Sequence, residues 1–583
     1  MISKDPEIRE ALRSCKQHFV FAGVYGVITS LLLLSFPLFI LNVYGRVLTS
    51  RSLATLAVLL AGFIIAIIFK GVFSWLRSAL LVRAAVRLDR RLTERVLQCL
   101  FERRASGRTD IGSQALRDLD QFRRFVTGTG GVAVMDAPLG ALFLGVLLVL
   151  NVPLAITAFI AILIITLLTV IDAFVTRENI AKSDKETVNS YAFVEANLPT
   201  AEAVVGMGLL KGLLAKWHAV RELALAAQLK ASSRGSAFDD AIGVVRYVAQ
   251  GIFIAVGVVE VVNGTMSAGL LIGTLFIFNF AMAPFHKLVN AWSSYPPVKQ
   301  GLERLEKVLQ GAPPALEDRM ALPRPTGELK VKDLSFVPPA QDKVIIRSLN
   351  IGLRAGESLG VVGLIGSGKT TLARLLVGAL KPTAGAIRLD GNDMFDWTRH
   401  QGGQYVGYVP QSVALLTATV AENIGRFGMF EEKEIVEAAE RAGAHDLIQK
   451  LPQGYDTMIG EGGFQLSGGQ RQLVALARAV VGKPALVVLD EPNSNLDGPG
   501  EEALASCIQY LRDNGSTLVL ISHRPQIVRH LDKLLLLKEG QLVSFGKSEE
   551  VWEKLGRPAI VKRVAAVDDP TSTAPKKASA NEA

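Results

Sequence analysis

The chain has 583 residues, 50% of them hydrophobic and 20% charged, with a formal net charge of +9; so apolar a chain is not disordered throughout, and its length accommodates two to four domains of about 100–200 residues. Three cysteines, Cys15, Cys99 and Cys507, are odd in number and far apart, which excludes a disulfide scaffold, and no Cys/His spacing suggests zinc. The basic balance suits nucleic acid or an anionic membrane surface, and the placement of charge along the chain decides between them.

Residues 17–45, 52–69, 137–171 and 261–285 contain no Asp, Glu, Lys or Arg. A membrane-crossing helix needs about 20 mainly apolar residues. The pattern predicts six spans, at 19–44, 53–76, 130–150, 153–174, 242–262 and 267–289, with turns at Asn151-Val152-Pro153 and Asn263-Gly264. Buried core helices of a soluble protein do not account for the length and number of these runs. The first is too long for a signal-peptide core and no small-residue cleavage site follows it, so it is expected to remain as a span.

The segment after the second span carries eleven Arg, from Arg83 to Arg124, and the segment after the fourth carries eight Lys or Arg, from Arg177 to Arg234. The turns after spans one, three and five carry only Arg46 and Arg51. The positive-inside rule then places the N-terminus and both long segments in the cytosol. The basic balance is therefore a topology signal, and nucleic acid is not an expected partner. Helix formers with apolar residues three or four apart predict that amphipathic helices carry the spans into the cytosol. Asp136, near the start of the third span, is costly facing lipid; it either pairs with an arginine near the interface or serves the conduit.

Pro313, Pro314, Pro323 and Pro325 mark a linker over 306–326, closing a membrane domain of residues 1–305. Short apolar strands alternating with helices then predict a soluble α/β domain over 327–564. Residues 565–583, rich in Ala, Ser, Thr, Pro and Lys, are expected to be disordered.

The α/β domain carries the chemistry. Residues 363–370 read Gly-Leu-Ile-Gly-Ser-Gly-Lys-Thr, a phosphate-binding loop between an apolar strand and a helix. Gly363, Leu364, Ile365, Gly366, Ser367 and Gly368 supply the loop, whose amides and following helix N-terminus favour phosphate. Lys369 adds a positive charge, Thr370 a hydroxyl for Mg²⁺, and Thr371 continues the first helical turn. An apolar run ends in Asp490-Glu491: Asp490 fits a metal-supporting acid and Glu491 a base that polarises water. His523 ends a second such run, and Gln411 follows a third, where it fits a sensor of γ-phosphate and metal. Ser467, Gly468 and Gly469, within Leu-Ser-Gly-Gly-Gln, open a helix onto a second phosphate-bearing surface.

In this order, and with Ser494-Asn-Leu-Asp497, these motifs resemble an ATP-binding-cassette (ABC) ATPase over about 235 residues. The resemblance implies two cassettes sandwiching two ATP head to tail. Ser467, Gly468 and Gly469 then act across the dimer, and Asp497 lies in a loop crossing to the partner. One cassette per chain implies a homodimer. The implied fold is a six-helix ABC exporter transmembrane domain fused to an α/β P-loop ABC ATPase domain, with ATP and Mg²⁺ as cofactors. Residues 457–463 resemble the exporter loop that touches cytosolic helices of the membrane domain.

Residues 43–53, 116–125, 136–138 and 202–208 are similar to those of type I secretion ATPases, in the branch exporting metalloproteases, lipases and repeat-in-toxin proteins. That likeness implies a bacterial inner-membrane exporter of a polypeptide with an uncleaved C-terminal signal. It also implies a periplasmic adaptor and an outer-membrane channel as partners. About 18 residues precede the first span, unlike members with an N-terminal peptidase-like domain. Two positions depart from the family: Pro338 stands where a Tyr often stacks on adenine, and Asn279 where a basic residue is expected in the last span. The competing readings are a lipid or drug exporter, and a regulatory or channel-like ABC protein with vestigial hydrolysis.

Overall fold

The computed structural model describes residues 5–107, 114–310, 323–339, 343–399, 403–523 and 525–555. The tail at 565–583 and most of the linker lie outside the described residues. The chain divides into two compact units, the first mainly residues 1–313 and the second from 314 onward.

Among the described residues, six helices are long and apolar enough to cross a membrane: Lys16–Ser50, Leu53–Ala105, Gln114–Leu150, Val152–Thr176, Leu210–Val262 and Ala268–Leu288. Each overlaps one predicted span. At 1.5 Å per residue, the 53-residue helix Leu53–Ala105 is about 80 Å long, well beyond the ~30 Å hydrocarbon layer. The helix continues as the Arg-rich sequence predicted. Its buried positions, Leu81, Ala84, Leu88, Leu92, Val96 and Cys99, repeat every three to four residues. From Ala84 onward they pack on Leu119 and Phe122 and on Leu302 and Leu305 of the last helix. The turns form where predicted. The Asn151 side chain accepts the Leu154 amide at 3.0 Å, and that of Ser267 the Leu270 amide at 3.2 Å, each capping the helix that follows.

Three details differ from expectation. A helix precedes the first span, Pro6–Ser14, capped by Asp5, which accepts from the amides of Glu7 and Ile8. The first span is segmented into Lys16–Leu33 and Ser35–Asn42, then a π-helical turn at Val43–Val47. Pro37 lacks the N–H that would bridge the break. The last helix runs to Leu309, past the expected boundary at 305.

Asp136 is paired, and doubly. It is 5% exposed, and accepts from Arg77 of the second span at 2.6 Å and from Lys287 of the last at 2.9 Å. The Arg77 guanidinium lies over Gly26 of the first span, where an added Cβ would meet Cζ at 3.3 Å. Four of the six spans therefore meet at one charge cluster. Farther along, Arg304 forks onto buried Asp118 with two 2.8 Å hydrogen bonds.

Among its described residues the second unit holds twelve strands: β1 (Leu329–Phe336), β2 (Ile346–Leu353), β3 (Ser358–Gly363), β4 (Ala384–Leu389), β5 (Asn392–Asp393), β6 (Val406–Val409), β7 (Ala418–Thr419), β8 (Met458–Ile459), β9 (Leu486–Asp490), β10 (Thr517–Ile521), β11 (Lys533–Lys538) and β12 (Gln541–Lys547). An antiparallel sheet runs β2-β1-β4-β5, a six-stranded sheet β12-β11-β3-β10-β9-β6, and β7 pairs with β8. Within the six, β11, β3, β10, β9 and β6 are parallel and only β12 reverses. Helices cover one face through Val487, Leu489, Leu518 and Leu520. The antiparallel sheet and the helix Lys369–Leu376 cover the other through Leu486, Val488, Val519 and Ile521. A strand buried on both faces reads as a continuous apolar run, which is why β9 and β10 stood out in the sequence. Each such side chain contributes about 1.5–3 kcal/mol by burial.

Asp136→Ala is expected to destabilise the protein by about 3–5 kcal/mol, because it leaves Arg77, whose side chain is only 12% exposed, without its counter-charge. The double variant Asp136→Ala/Arg77→Leu should recover part of that loss. Thermal melting of the detergent-solubilised protein checks both; equal melting temperatures for wild type and Asp136→Ala would contradict the assignment.

Candidate nucleotide site

The phosphate loop leaves β3 at Gly363 and enters the helix Lys369–Leu376. Gly368 caps that helix at φ +99°, and an added Cβ would meet Ile346 at 2.9 Å, so only glycine fits. The Lys369 side chain folds back, its ammonium donating to the carbonyls of Gly363 and Leu364, both at 2.9 Å. Burial lowers the Lys369 ammonium below its usual range, against the opposing pull of Glu491 and Asp490.

Asp490 is the last residue of β9 and is wholly buried. Neither carboxylate oxygen has a hydrogen-bond partner among the described residues. Burial raises the carboxyl above the ordinary range; the Thr370 hydroxyl and the Lys369 and Arg374 charges oppose that rise, while Glu491 adds to it.

Glu491 turns out of the strand with φ +53°, a left-handed conformation rare for a glutamate. Its amide donates to the Ile521 carbonyl at 2.9 Å, which pins the turn to β10. Its carboxylate then bridges two groups: Oε1 lies 2.9 Å from His523 Nε2, and Oε2 accepts from Gln411 Nε2 at 3.3 Å. Gln411 Oε1 accepts in turn from the Thr370 hydroxyl at 3.3 Å. A polar line thus runs Thr370–Gln411–Glu491–His523, joining the ends of four strands.

These residues open onto one cleft of about 680 Å³. Ile365, Gly366, Gly368, Lys369, Thr370, Thr371, Gln411, Glu491 and His523 line it, as do Lys343, Val344, Ile345, Arg347 and Glu539, which sequence reasoning missed. Gly363 and Leu364 act from behind through their carbonyls, and Ser367 is buried. Thr370, Gln411 and Asp490 offer an all-oxygen donor set, as a hard divalent cation takes. The unpartnered buried oxygens of Asp490 fit such an ion.

Ser467, Gly468, Gly469 and Asp497 do not line this cleft. Ser467 caps the helix Gly468–Val480: its hydroxyl accepts the Gln470 amide at 3.3 Å, and Gln470 Oε1 accepts the Ser467 amide at 2.9 Å. This reciprocal box was legible as Ser-x-x-Gln. Asp497 likewise caps Gly498–Asp513 by accepting from Gly500 at 3.0 Å. The signature glycines pack beside Asn495, so the signature and the loop holding Asp497 adjoin each other. At the far end of the signature helix, half-buried Arg426 donates to the carbonyls of Arg478 and Ala479.

Pro338 does not line the cleft either, and Phe336 is packed into the core of the cassette. The aliphatic chains of Val344 and Ile345 take their place.

Six membrane-length helices joined to this α/β domain, with a phosphate loop and Glu491 facing one cleft, define an ATP-binding-cassette transporter. Residues 346–494 match the family model described as ABC transporter, and residues 19–285 the ABC transporter transmembrane region. The chain is 36% identical to the type I secretion system ATP-binding protein PrsD of Rhizobium meliloti, over 95% of each chain. It is 28% identical to the leukotoxin translocation ATP-binding protein LktB of Mannheimia haemolytica, over 92% of this chain and 75% of that one. In fold it is similar to a bacterial Atm1-family ABC exporter solved with ATP bound, with a TM-score of 0.76 at 23% identity, over 96% of this chain and 99% of that one. The chain belongs to the ATP-binding proteins of type I secretion. It is a multi-pass membrane protein that binds and hydrolyses ATP to drive protein export.

With aliphatic groups and no Tyr, Phe or Trp ring lining the cleft among the described residues, weak discrimination between ATP and GTP is expected. Base–aromatic stacking is worth about 1–3 kcal/mol in nucleic-acid binders, so Pro338→Tyr should tighten ATP binding. Nucleotide titration of the purified protein checks this; strong ATP preference in wild type, with no gain in Pro338→Tyr, would show that Val344 and Ile345 already hold the base.

Proposed function

We propose that the chain works as a homodimer in the bacterial inner membrane, with its cassette in the cytosol, exporting a polypeptide that carries a C-terminal signal. A periplasmic adaptor and an outer-membrane channel complete the path. The names of the relatives support the cargo class, and the Lys- and Arg-rich segments support the orientation.

The polar line Thr370–Gln411–Glu491–His523 beside the phosphate loop carries the mechanistic reading. The loop amides and Lys369 hold the phosphates of ATP. Thr370, Gln411 and Asp490 would hold Mg²⁺. When bound, this ion neutralises phosphate charge and supports the leaving group. Glu491, fixed by its turn and by His523 and Gln411, accepts the proton of the attacking water. His523 and Gln411 position the γ-phosphate against it.

Ser467, Gly468, Gly469 and Asp497 act on the partner's nucleotide. Their absence from the cleft of their own chain supports this, as does the 13-residue helix whose N-terminus Ser467, Gly468 and Gly469 open. ATP then closes two cassettes on each other. The long helical continuations of the spans carry that motion to the membrane, and hydrolysis releases it.

Glu491→Gln should retain ATP while slowing its hydrolysis about 10²–10⁴-fold, the usual scale of general-base catalysis. Phosphate release and nucleotide retention on purified protein measure this, and near-normal turnover would remove Glu491 from the role.

Trans action has its own signature. Pairing a Ser467→Arg subunit with a Glu491→Gln subunit places both lesions in one composite site and leaves the other intact. The isolated heterodimer should hydrolyse ATP faster than either parent homodimer. Heterodimer turnover no higher than that of the parents is the contrary result.

A further inference from the structure

We propose that Glu539 reads the ribose hydroxyls of the bound nucleotide, an assignment that rests on the cleft being the ATP site. Glu539 and Gly540 form the two-residue turn between β11 and β12, with φ +47° and +76°. Two left-handed residues in succession make a tight hairpin, which favours Asn, Asp or Gly at its first position. A glutamate is unusual there, and its longer carboxylate reaches further from the backbone.

The turn is held in place on two sides. The Gly540 amide donates to the Ser367 carbonyl of the phosphate loop at 3.1 Å, and the Gly540 carbonyl accepts from Arg347 at 2.9 Å. A Cβ on Gly540 would meet the Ile345 carbonyl at 2.0 Å, so the turn is wedged between the loop and β2. Glu539 lines the same cleft as Lys369 and Thr370. Its carboxylate makes no ion pair or hydrogen bond among the described residues.

Sheet order says which part of the nucleotide it meets. The strands run β12-β11-β3-β10-β9-β6, and β11 is parallel to β3. The β11–β12 turn therefore lies at the same sheet edge as the phosphate loop. It is on the side of β3 opposite to β10, β9 and β6, whose ends carry His523, Glu491 and Gln411. With γ-phosphate chemistry on the β10 side, the nucleoside lies on the β11 side. The sugar is the first group beyond the α-phosphate, and Glu539 is one residue from the bond to the loop. Its paired hydroxyls are two donors for one acceptor-only carboxylate. Lys343 and Arg347 line the same stretch and offset the repulsion between Glu539 and the phosphates.

The test compares kcat/KM of the full-length protein for ATP, 2′-deoxy-ATP, 3′-deoxy-ATP and inosine triphosphate. Wild type, Glu539→Gln and Glu539→Asn are assayed; the asparagine tolerates a left-handed backbone and guards against misfolding. A hydrogen bond to a charged group is worth about 1.5–3 kcal/mol, so wild type should prefer ATP to a deoxy analogue about tenfold or more. Both variants should bring that ratio to within about twofold of unity through KM for ATP. A wild-type ratio near one, or one unchanged in both variants, overturns the proposal. So does a change confined to the inosine ratio, which would assign Glu539 to the base. Lys369→Ala is the separate check on the cleft: unaltered ATP binding there would refute the site itself, whatever Glu539 does.

Discussion

Parallel pairing of β3, β10, β9 and β6 is the constraint on which the catalytic arrangement depends. The register sets Ile521 beside both Val361 and Asp490, and Val409 beside Leu489. Four strands therefore stop along one edge, and the residues just past them, Gly363 onward, His523, Glu491 and Gln411, fall together although 160 positions separate Gly363 from His523. Strands buried on both faces cannot slip by one residue without exchanging the side chains of two tightly packed cores. The core thus fixes the geometry of the cleft, and the loops need supply only short reaches.

The membrane unit solves a different problem. Its backbone is satisfied within helices, as lipid requires, and side chains settle how the helices meet. Aromatic and small residues do this in the apolar zone: the rings of Phe253 and Phe278 meet at a tilt with centroids 4.5 Å apart, and Gly257 admits Leu271. Charged groups do it elsewhere. Asp136 with Arg77 and Lys287, and Asp118 with Arg304, join helices distant in sequence. Such pairs add orientation more than net stability, because desolvation offsets much of their attraction.

Much of this was legible in the sequence, for identifiable reasons. The spans showed because charge is excluded from lipid, and the phosphate loop because phosphate binding needs glycines and lysine at fixed spacing. Asp490 and Glu491 showed because an apolar run ended in acid. What escaped depends on partners far along the chain. Lys287 as a second partner of Asp136 requires the third and last spans to be neighbours. The left-handed turn at Glu491 is set by its bond to β10, not by local preference. Arg347 and Glu539 enter the cleft only because β2 and the β11–β12 turn close on the phosphate loop. The segmentation of the first span at Leu34 had a local signal in Pro37, which span-length arithmetic overlooks.

Cys15, Cys99 and Cys507 form no disulfide among the described residues and are fully buried, and burial pushes the Cys507 thiol up to about 12. Thiolate, not thiol, reacts with maleimides and methanethiosulfonates, so all three native sulfurs are shielded from such reagents. A cysteine introduced on an exposed helix face can then be tagged with a fluorophore or spin probe against a quiet background. Distances between cassettes or spans become measurable through the transport cycle without first stripping the chain of its own thiols.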